Sequence, residues 1–140
     1  MKIRYSPESV VIPDTPAAIL EWAACHIEHV GIHQGGHLFA GPGRTASLAC
    51  WPRGAIEVAA GNGRGTSQRT YDWERIRLAR DKALHALAEH LAGHPVQADN
   101  PAAKQLHRDV IDRWSAQPGR TAEEAARAFR AAARADELPL

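Results

Sequence analysis

The 140-residue sequence is poor in cysteine and lacks long apolar runs. It contains two cysteines, Cys25 and Cys50, and nowhere do the roughly 18 consecutive apolar residues of a membrane span occur. Two cysteines do not make the dense disulfide framework of small secreted domains, and the opening segment MKIRYSPESVVIPD has no apolar stretch of signal-peptide length. We therefore expect a cytoplasmic protein with two free thiols that does not associate with membranes.

An excess of charge of either sign is also absent. The formal net charge is +1 and charged residues make up 24% of the chain, so bulk charge does not attract the protein to nucleic acid. Lysine is scarce, because 14 of the 17 basic residues are arginine. Guanidinium groups recognise phosphate well, so the arginines could indicate a phosphate-binding function. Arginine in place of lysine, together with abundant alanine, is also typical of a GC-rich genome, and we favour this explanation.

What the sequence does contain is a series of helix signals. Thr15 followed by Pro16, and Val30 followed by Gly31, predict a first helix over residues 16–30. The stretch TAEE at 121–124 matches a capping box that starts the last helix. The same kinds of signal predict three helices between these two, namely one from Pro52 to a stop at Gly61, one from Tyr71 to Leu91, and one capped by Asn100 and begun by Pro101.

Apolar residues recur on one face of each predicted helix. The helix from Tyr71 to Leu91 is our candidate for the central core helix. The predicted core faces comprise Leu20, Ala23, Ile27 and Val30; Trp73, Ile76, Ala83, Leu84, Leu87 and Leu91; Leu106, Val110, Ile111 and Trp114; and Ala122, Ala125, Ala126, Phe129 and Ala133.

Between the first two helices, short apolar segments flank Gly41-Pro42-Gly43, which predicts a β-hairpin. We therefore predict a mainly α fold, a small helical bundle of about five helices with a short β-hairpin near residues 37–49. The length suits a single domain over 1–140, with residues 1–13 as an extended or poorly ordered N-terminal segment.

The segment CHIEHVGIHQGGH at 25–37 combines one thiol with four imidazoles. On a helical wheel Trp22, Cys25, His26 and His29 lie together, away from the core face of the first helix. Because an aromatic residue outside the core often anchors a partner, we expect an uncovered helix face that binds a protein partner or a second copy of the chain.

A metal site is the alternative for this segment. Cys25, His26 and His29 have the helical spacing of zinc ligands, and His33 lies beyond Gly31, where a loop can return towards them. Strong zinc signals contain two paired ligand clusters, however, and this stretch contains one. We expect no resident metal and no other cofactor, and we expect the histidines to lie at the surface or at an interface.

A second alternative is a thiol-dependent hydrolase. Cys50 precedes a predicted helix N-terminus, which favours a thiolate, and Gln34 resembles the oxyanion donor of papain-type proteases. Those enzymes bring their histidine from a sheet, whereas the chain after residue 70 is predicted to be helical. We therefore interpret Cys50 as a core or helix-start residue, and Gln34 and Gly35 as the turn that leads into the hairpin, with the glutamine satisfying backbone groups there.

Arginines on the last helix suggest a third possibility, nucleic-acid binding. Arg127, Arg130 and Arg134 lie outside the apolar stripe, but acidic residues flank them at 123–124 and 136–137. A solvated face is the interpretation we favour.

Three stretches, TPAAILEWAACHIEHVGIHQG, CWPRGAIEVAAG and DVIDRWSAQPGRTAEEAARAFRAAA, resemble an uncharacterised family of small actinobacterial and actinophage proteins, a domain of unknown function. The resemblance covers about residues 15–133. This chain has WSA at 114–116 where the family more often has Trp-Asn-Asp. The positions that carry the resemblance are Gln34, Gly35, Cys50, Gly54, Ala55, Ile56 and Trp114.

The functional expectation is therefore a small, non-catalytic interaction or regulatory protein, with a role as an accessory factor of a phage or mobile element. Its expected ligand-binding residues are Trp22, His26, His29, Gln34, Gly35 and Cys50. The alternatives are the thiol- or metal-dependent hydrolase that uses Cys50 and the nucleic-acid-binding module that uses the C-terminal arginines.

Overall fold

Five α-helices make up most of the protein, which confirms the mainly α prediction. The computed structural model describes residues 5–6, 11–64, 71–96 and 101–137. The helices are α1 (Pro16–Val30), α2 (Pro52–Ala59), α3 (Trp73–Ala92), α4 (Pro101–Ser115) and α5 (Ala122–Glu137), and one turn of 3₁₀ helix spans Thr45–Ser47.

Capping residues define both ends of α1 and the start of α5, as the sequence predicts. The Thr15 side chain accepts a hydrogen bond from the Ala18 amide at 3.2 Å, and Gly31 ends α1 with φ of 90°. At the start of α5, Thr121 Oγ1 accepts from the Glu124 amide at 3.1 Å, while the Glu124 carboxylate accepts from the Thr121 amide at 3.1 Å. This reciprocal pair is a capping box, and it fixes where the chain turns into α5.

The sequence suggested α3 as the central core helix, and α3 packs against all four other helices. The most extensively buried helix is α1, which packs against α5, α2 and α3. Ile19, Leu20 and Ile27 are fully buried on its core face. The facing side of α5 is built from small residues around Phe129, which lets the two backbones approach closely; these are Ala125, Ala126, Ala132 and Ala133.

The predicted β-hairpin near residues 37–49 is wrong, because the described residues contain no strand there. Pairing is confined to single bridges at Cys50, parallel to Ile32 and antiparallel to Phe39. Gly41 and Gly43 both adopt positive φ, and Pro42 between them has no amide hydrogen to donate. The chain then enters the 3₁₀ turn, so a continuous ladder has no room to form.

Two apolar residues predicted to lie in the core are exposed. Trp73 and Leu106 keep 47% and 43% of their surface accessible. Trp73 is the first residue of α3, so it lies at the edge of the bundle, where its ring packs against Tyr71 with centroids 5.2 Å apart. Correct helical spacing therefore identified the face but not the position along the axis at which the core ends.

The N-terminal segment is partly packed on the bundle. Tyr5 is half-buried against α1, and Ile12 and Pro13 are buried. The remainder of the segment predicted as extended or poorly ordered, at 1–4 and 7–10, lies outside the described residues, as does the predicted capping residue Asn100.

Gly54 tests how tightly the loop before α2 is packed on that helix. A Cβ atom at Gly54 would lie 3.1 Å from Cys50 Cβ and 3.2 Å from the Leu38 carbonyl oxygen. We expect Gly54→Ala to lower the free energy of unfolding by about 1–3 kcal/mol in urea denaturation, although alanine is the better helix former. Gly36→Ala, where a Cβ meets nothing within 4 Å, is the matched control and should change stability by less than about 0.5 kcal/mol. Equal stability of the two variants would contradict this packing.

Candidate functional site

The face of α1 that the sequence predicts to be uncovered is in fact covered. Trp22 is 2% exposed and His26 is 0% exposed. Tyr5 from the N-terminal segment and Arg64 from the chain after α2 lie against them. Both residues come from irregular segments, which have no periodic pattern that would place them here. The expectation of an open Trp22–His26 surface is therefore wrong, and only His29 of that group is exposed.

Four side chains form a compact buried cluster, which we call the Tyr5 cluster: Tyr5, Trp22, His26 and Arg64. The His26 ring stacks on the Trp22 indole with centroids 5.0 Å apart and an interplanar angle of 22°. The Tyr5 ring lies 4.7 Å from the Trp22 ring, and its Oη is 2.7 Å from His26 Nδ1. Arg64 Cζ lies 4.1 Å from the Trp22 ring centroid, and its Nη2 donates to the Ala59 carbonyl at 2.9 Å.

Burial sets the protonation states of this cluster. Desolvation, together with the neighbouring His29 and Arg64, lowers the pKa of His26 to about 4. Burial raises the pKa of Tyr5 well above its usual value. Burial lowers the pKa of Arg64 to about 10, against the opposing influence of Tyr71 and Tyr5. At neutral pH the cluster therefore contains a neutral imidazole, a protonated phenol and a charged guanidinium.

Two ring nitrogens in the cluster have no hydrogen-bond partner among the described residues. They are Trp22 Nε1 and His26 Nε2, both shielded from solvent. A buried polar group left in this state costs on the order of 1–3 kcal/mol, so such atoms are uncommon without a functional or structural reason.

The predicted metal ligands are not brought together. His26 is bonded to Tyr5, and Cys25 Sγ accepts from Arg130 Nη2 at 3.7 Å. The ring of His33 instead lies against Gly35. Across residues 5–6, 11–64, 71–96 and 101–137, no three histidine, cysteine or carboxylate side chains are grouped as a metal site requires.

Gln34 connects the loop after α1 to the corner between α4 and α5, and Gly35 connects the same loop to the start of α2. Gln34 Nε2 donates to the Ser115 carbonyl at 2.9 Å and to the Gln117 carbonyl at 2.7 Å. Trp51 Nε1 donates to the Gly35 carbonyl at 2.9 Å. The glutamine thus satisfies backbone oxygens at the end of α4 rather than those of a hairpin. Sequence spacing cannot show this, because the donor and its acceptors are far apart along the chain.

Cys50 lies in the core at 0% exposure, and burial raises the pKa of its thiol to about 12. Its backbone amide and carbonyl join the loop, through bonds from Cys50 N to the Gly31 carbonyl at 3.2 Å and from the His33 amide to the Cys50 carbonyl at 2.9 Å. A thiolate nucleophile is therefore disfavoured at this position, and the residue acts as a small apolar group.

An open cleft of about 460 Å³ lies between α3, α4 and α5. Leu91, Trp114 and Ala128 contribute apolar surface to it, and Arg127, Arg134 and His90 contribute polar surface. Sequence analysis missed this site, because it assigned Trp114 and Leu91 wholly to the core. The available signal was the spacing of Arg127 and Arg134, which are seven residues apart and therefore lie on one side of α5.

The charge on the cleft is mainly positive. Its carboxylate, Glu124, is paired with Arg120 at 3.0 Å, and the hydrogen bonds from Arg120 and Thr121 lower the pKa of that carboxyl. Arg120 also lies over the Trp114 ring at 3.8 Å and donates to the Trp114 carbonyl at 3.1 Å. Arg134 forms no ion pair with any residue that the structure describes.

The three C-terminal arginines do not form one basic face. Arg130 turns towards α1, where Nη1 and Nη2 donate to the Glu28 carboxylate at 3.0 and 2.6 Å. Arg127 is highly exposed and lies 3.6 Å from Glu123. Of the three, only Arg127 and Arg134 line the cleft.

The chain belongs to a family of unknown function, DUF6197, whose model matches residues 11–135. Neither the curated proteins nor the solved structures contain a match to it. Among the helices described here, none is long and apolar enough to cross a membrane.

Removal of the Gln34 side chain tests the tether between the loop and the α4–α5 corner. Gln34→Ala deletes two hydrogen bonds to backbone oxygens, so we expect the free energy of unfolding to fall by about 1–2 kcal/mol. Gln105→Ala is the matched control, because Gln105 bonds only the Asp109 side chain one turn away on the surface of α4. Urea denaturation of both variants gives the comparison. A loss no larger than that of the control would show that Gln34 does not stabilise the corner.

His26 makes the stability of the protein depend on pH. Its pKa is about 4 when folded and near 6.5 when unfolded, so the unfolded chain binds more protons between these values. Stability contributed by neutral His26 is complete above about pH 6.5 and is lost as the pH falls towards 4. The free energy of unfolding of the wild type should fall between pH 7 and pH 4.5. In His26→Gln we expect this fall to be smaller by about 2–3 kcal/mol.

The exposed His94 supplies the control for this experiment. His94→Gln should leave the wild-type pH dependence unchanged when urea denaturation is followed at both pH values. If His26→Gln retained the wild-type decrease, the buried imidazole would not be the group that titrates.

Proposed function

We propose that this protein is a small, non-catalytic interaction or regulatory protein, and that it binds an acidic helical segment of a partner protein in the cleft between α3, α4 and α5. The observation that carries the proposal is the combination of an apolar floor with two guanidinium groups, those of Arg127 and Arg134, in one open cleft. Arg127 has an exposed partner in Glu123, and Arg134 has no ion pair with a described residue. An aromatic side chain in such a cleft is the kind of anchor that dominates protein interfaces.

The dimensions of the cleft favour a helix as the bound segment. Arg127 and Arg134 are two helical turns apart, which corresponds to about 10 Å along the axis of α5. Acidic residues seven positions apart on a partner helix have the same separation. Ala128 and Ala131 face the cleft between the two arginines, and their small side chains allow a second helix to lie close.

The binding surface in this proposal differs from the one expected from the sequence. Trp22 and His26 are buried beneath Tyr5 and Arg64, and Cys50 is in the core. Gln34 is engaged in the tether to the α4–α5 corner, and the Gly35 carbonyl accepts from Trp51 Nε1 at the start of α2. A ligand-binding role for these residues and for His29 stays a prediction. The cleft offers a partner more accessible apolar and charged surface.

The two alternative functions receive less support from the geometry. A hydrolase that uses Cys50 needs an accessible thiolate, whereas this thiol is fully buried with a raised pKa. Nucleic-acid binding through the C-terminal arginines needs several unpaired cations on one face. Arg130 is instead held by Glu28, and Arg127 lies near Glu123.

The cellular setting in our proposal is the cytoplasm of an actinobacterium, or of one infected by a phage, where the protein acts as an accessory factor of the phage or of a mobile element. The excess of arginine over lysine supports a GC-rich genome, and the resemblance of the helix and corner motifs supports this origin. The genes that neighbour its own would identify candidate partners.

Binding of a designed peptide tests the proposal. The peptide is an alanine- and leucine-rich amphipathic helix with glutamates seven residues apart, and its analogue carries lysines in their place. We expect the glutamate peptide alone to bind in a titration of tryptophan fluorescence. Affinity should weaken as salt is added, because both ion pairs are solvent-accessible.

Charge reversal in the cleft provides the matched comparison. The double variant with Arg127→Glu and Arg134→Glu should bind the glutamate peptide at least about tenfold more weakly. A control pair with Arg44→Glu and Lys82→Glu makes the same change in net charge on exposed residues outside the cleft. Equal binding by the two double variants would overturn the proposal. A second outcome would also overturn the proposal. If the wild-type protein were a dimer that the cleft double variant dissociates and the control variant does not, the occupant of the cleft would be a second copy of the chain.

A further inference from the structure

His90 lies in the last turn of α3 and lines the α3–α4–α5 cleft. Its side chain is exposed, and it forms no hydrogen bond or ion pair with any residue that the structure describes. Two other histidines at this end of α3 differ in this respect. His85 Nε2 lies 2.9 Å from the Val96 carbonyl oxygen, and His94 Nδ1 lies 2.9 Å from that of Pro95. The His90 imidazole is therefore available to a molecule bound in the cleft.

Among the residues that line the cleft, His90 is the one whose side chain type changes charge near neutral pH. The guanidinium groups of Arg127 and Arg134 keep their positive charge between pH 6 and pH 8. Glu124 stays ionised in this range, because its hydrogen bond from Arg120 lowers the pKa of the carboxyl. The remaining lining residues carry no charge; they are Leu91, Trp114, Ala128 and Ala131. The net charge of the lining therefore becomes more positive when His90 takes up a proton.

The charged groups that face His90 from the other helices act on a protonated imidazole in opposite directions. On α5, Arg127 and Arg134 repel it, whereas Glu124 attracts it. On α4 the lining residue is Trp114, which does not titrate. A carboxylate that a partner brings into the cleft offsets the charge of the arginines and attracts the imidazolium, so it favours protonation of His90.

The groups on α3 itself also favour a positive charge at His90. The last turn of a helix leaves carbonyl groups without intrahelical partners, and a cation is stabilised beside them. The adjacent carboxylate, Glu89, accepts a hydrogen bond from the Val96 amide at 3.2 Å. Glu89 is therefore engaged with the chain that follows α3, and the cleft side of His90 is left to the partner.

We propose that His90 is a titratable contact for the acidic partner segment, and that it makes binding in the cleft stronger as the pH falls from 8 to 6. The inference rests on the function proposed above, because it concerns the same cleft and the same class of partner. Arg127 and Arg134 come from α5 and His90 comes from α3, so a bound helix meets positive charge from two helices of the bundle. Binding and protonation then favour each other, because such a coupling is reciprocal.

Binding of the glutamate peptide at two pH values tests the inference. The peptide carries a fluorescent label at one end and is titrated with the full chain at pH 8 and at pH 6, at constant ionic strength, while fluorescence anisotropy is recorded. Its glutamates stay ionised over this range. We expect the wild type to bind about two- to fivefold more tightly at pH 6, which is the gain typical of one solvent-accessible ion pair.

The lower pH is set by the stability of the fold. The pKa of buried His26 is about 4, so its protonation destabilises the protein as the pH falls below 6. Circular dichroism spectra at pH 8 and pH 6 should be the same, and they show that the two affinities refer to the same folded state.

Histidine variants separate His90 from the other groups that titrate. His90→Gln keeps a polar side chain without a titrating group, so it should bind as the wild type does at pH 8 and gain nothing at pH 6. His90→Lys is charged at both pH values and should bind more tightly than the wild type at pH 8, with no further gain at pH 6. His94→Gln is the matched control, because His94 is exposed beyond the end of α3 and does not line the cleft. It should retain the wild-type gain.

Proton uptake on binding is a second measurement, and it needs no variant. Calorimetric titrations of the wild type at pH 6.5, in buffers of different ionisation enthalpy, should show that a fraction of a proton is taken up for each peptide bound. Equal affinity at pH 8 and pH 6 or the absence of proton uptake would overturn the inference and leave the proposed function standing. A gain at pH 6 that persists in His90→Gln would do the same. If the peptide bound at neither pH, the proposed function would fail, and this inference with it.

Discussion

The structure depends on the burial of α1 on almost all of its sides. A helix in a small bundle usually buries one stripe and leaves the opposite side to water. In α1, Ile19, Leu20 and Ile27 are buried on one side, yet Trp22 and His26 are also buried. The alanine-rich face of α5 covers the first group, while Tyr5 and Arg64 cover the second. Tyr5 and Arg64 come from irregular segments, whose positions a helical wheel does not predict. The sequence therefore suggested an open surface where the structure has a buried polar cluster.

Local signals were sufficient to predict most of the helices. The ends of α1 and the start of α5 depend on contacts within one helical turn, at Thr15, Gly31 and the Thr121–Glu124 capping box. Such interactions are encoded by neighbouring residues, so sequence patterns identify them. The turn of the chain at Gly31 was likewise predicted from its tolerance of positive φ.

Contacts between distant residues account for what could not be predicted. The apolar segments around Gly41-Pro42-Gly43 have the composition of a hairpin, but the Cys50 backbone pairs on both sides and each pairing is a single bridge. The helical wheel placed Trp22 away from the core stripe of α1, but Trp22 belongs to the buried core cluster. Its covering by Tyr5 and Arg64 could not be predicted. The same limit applies to Gln34, whose acceptors lie at the end of α4.

Two of the positions that carry the family resemblance, Gln34 and Trp114, lie at the corner beside the cleft, where the loop after α1 meets the end of α4. The Gln34 side chain donates hydrogen bonds to the carbonyls of Ser115 and Gln117. Trp114, the residue before Ser115, lines the cleft. Both bonds go to backbone oxygens, so they do not require a particular side chain at position 115. The Ser115 hydroxyl instead donates to the Ile111 carbonyl at 2.7 Å, within α4. The corner is therefore compatible with other side chains at positions 115 and 116, and the contacts that hold Trp114 come from Arg120, which lies over its ring and donates to its carbonyl.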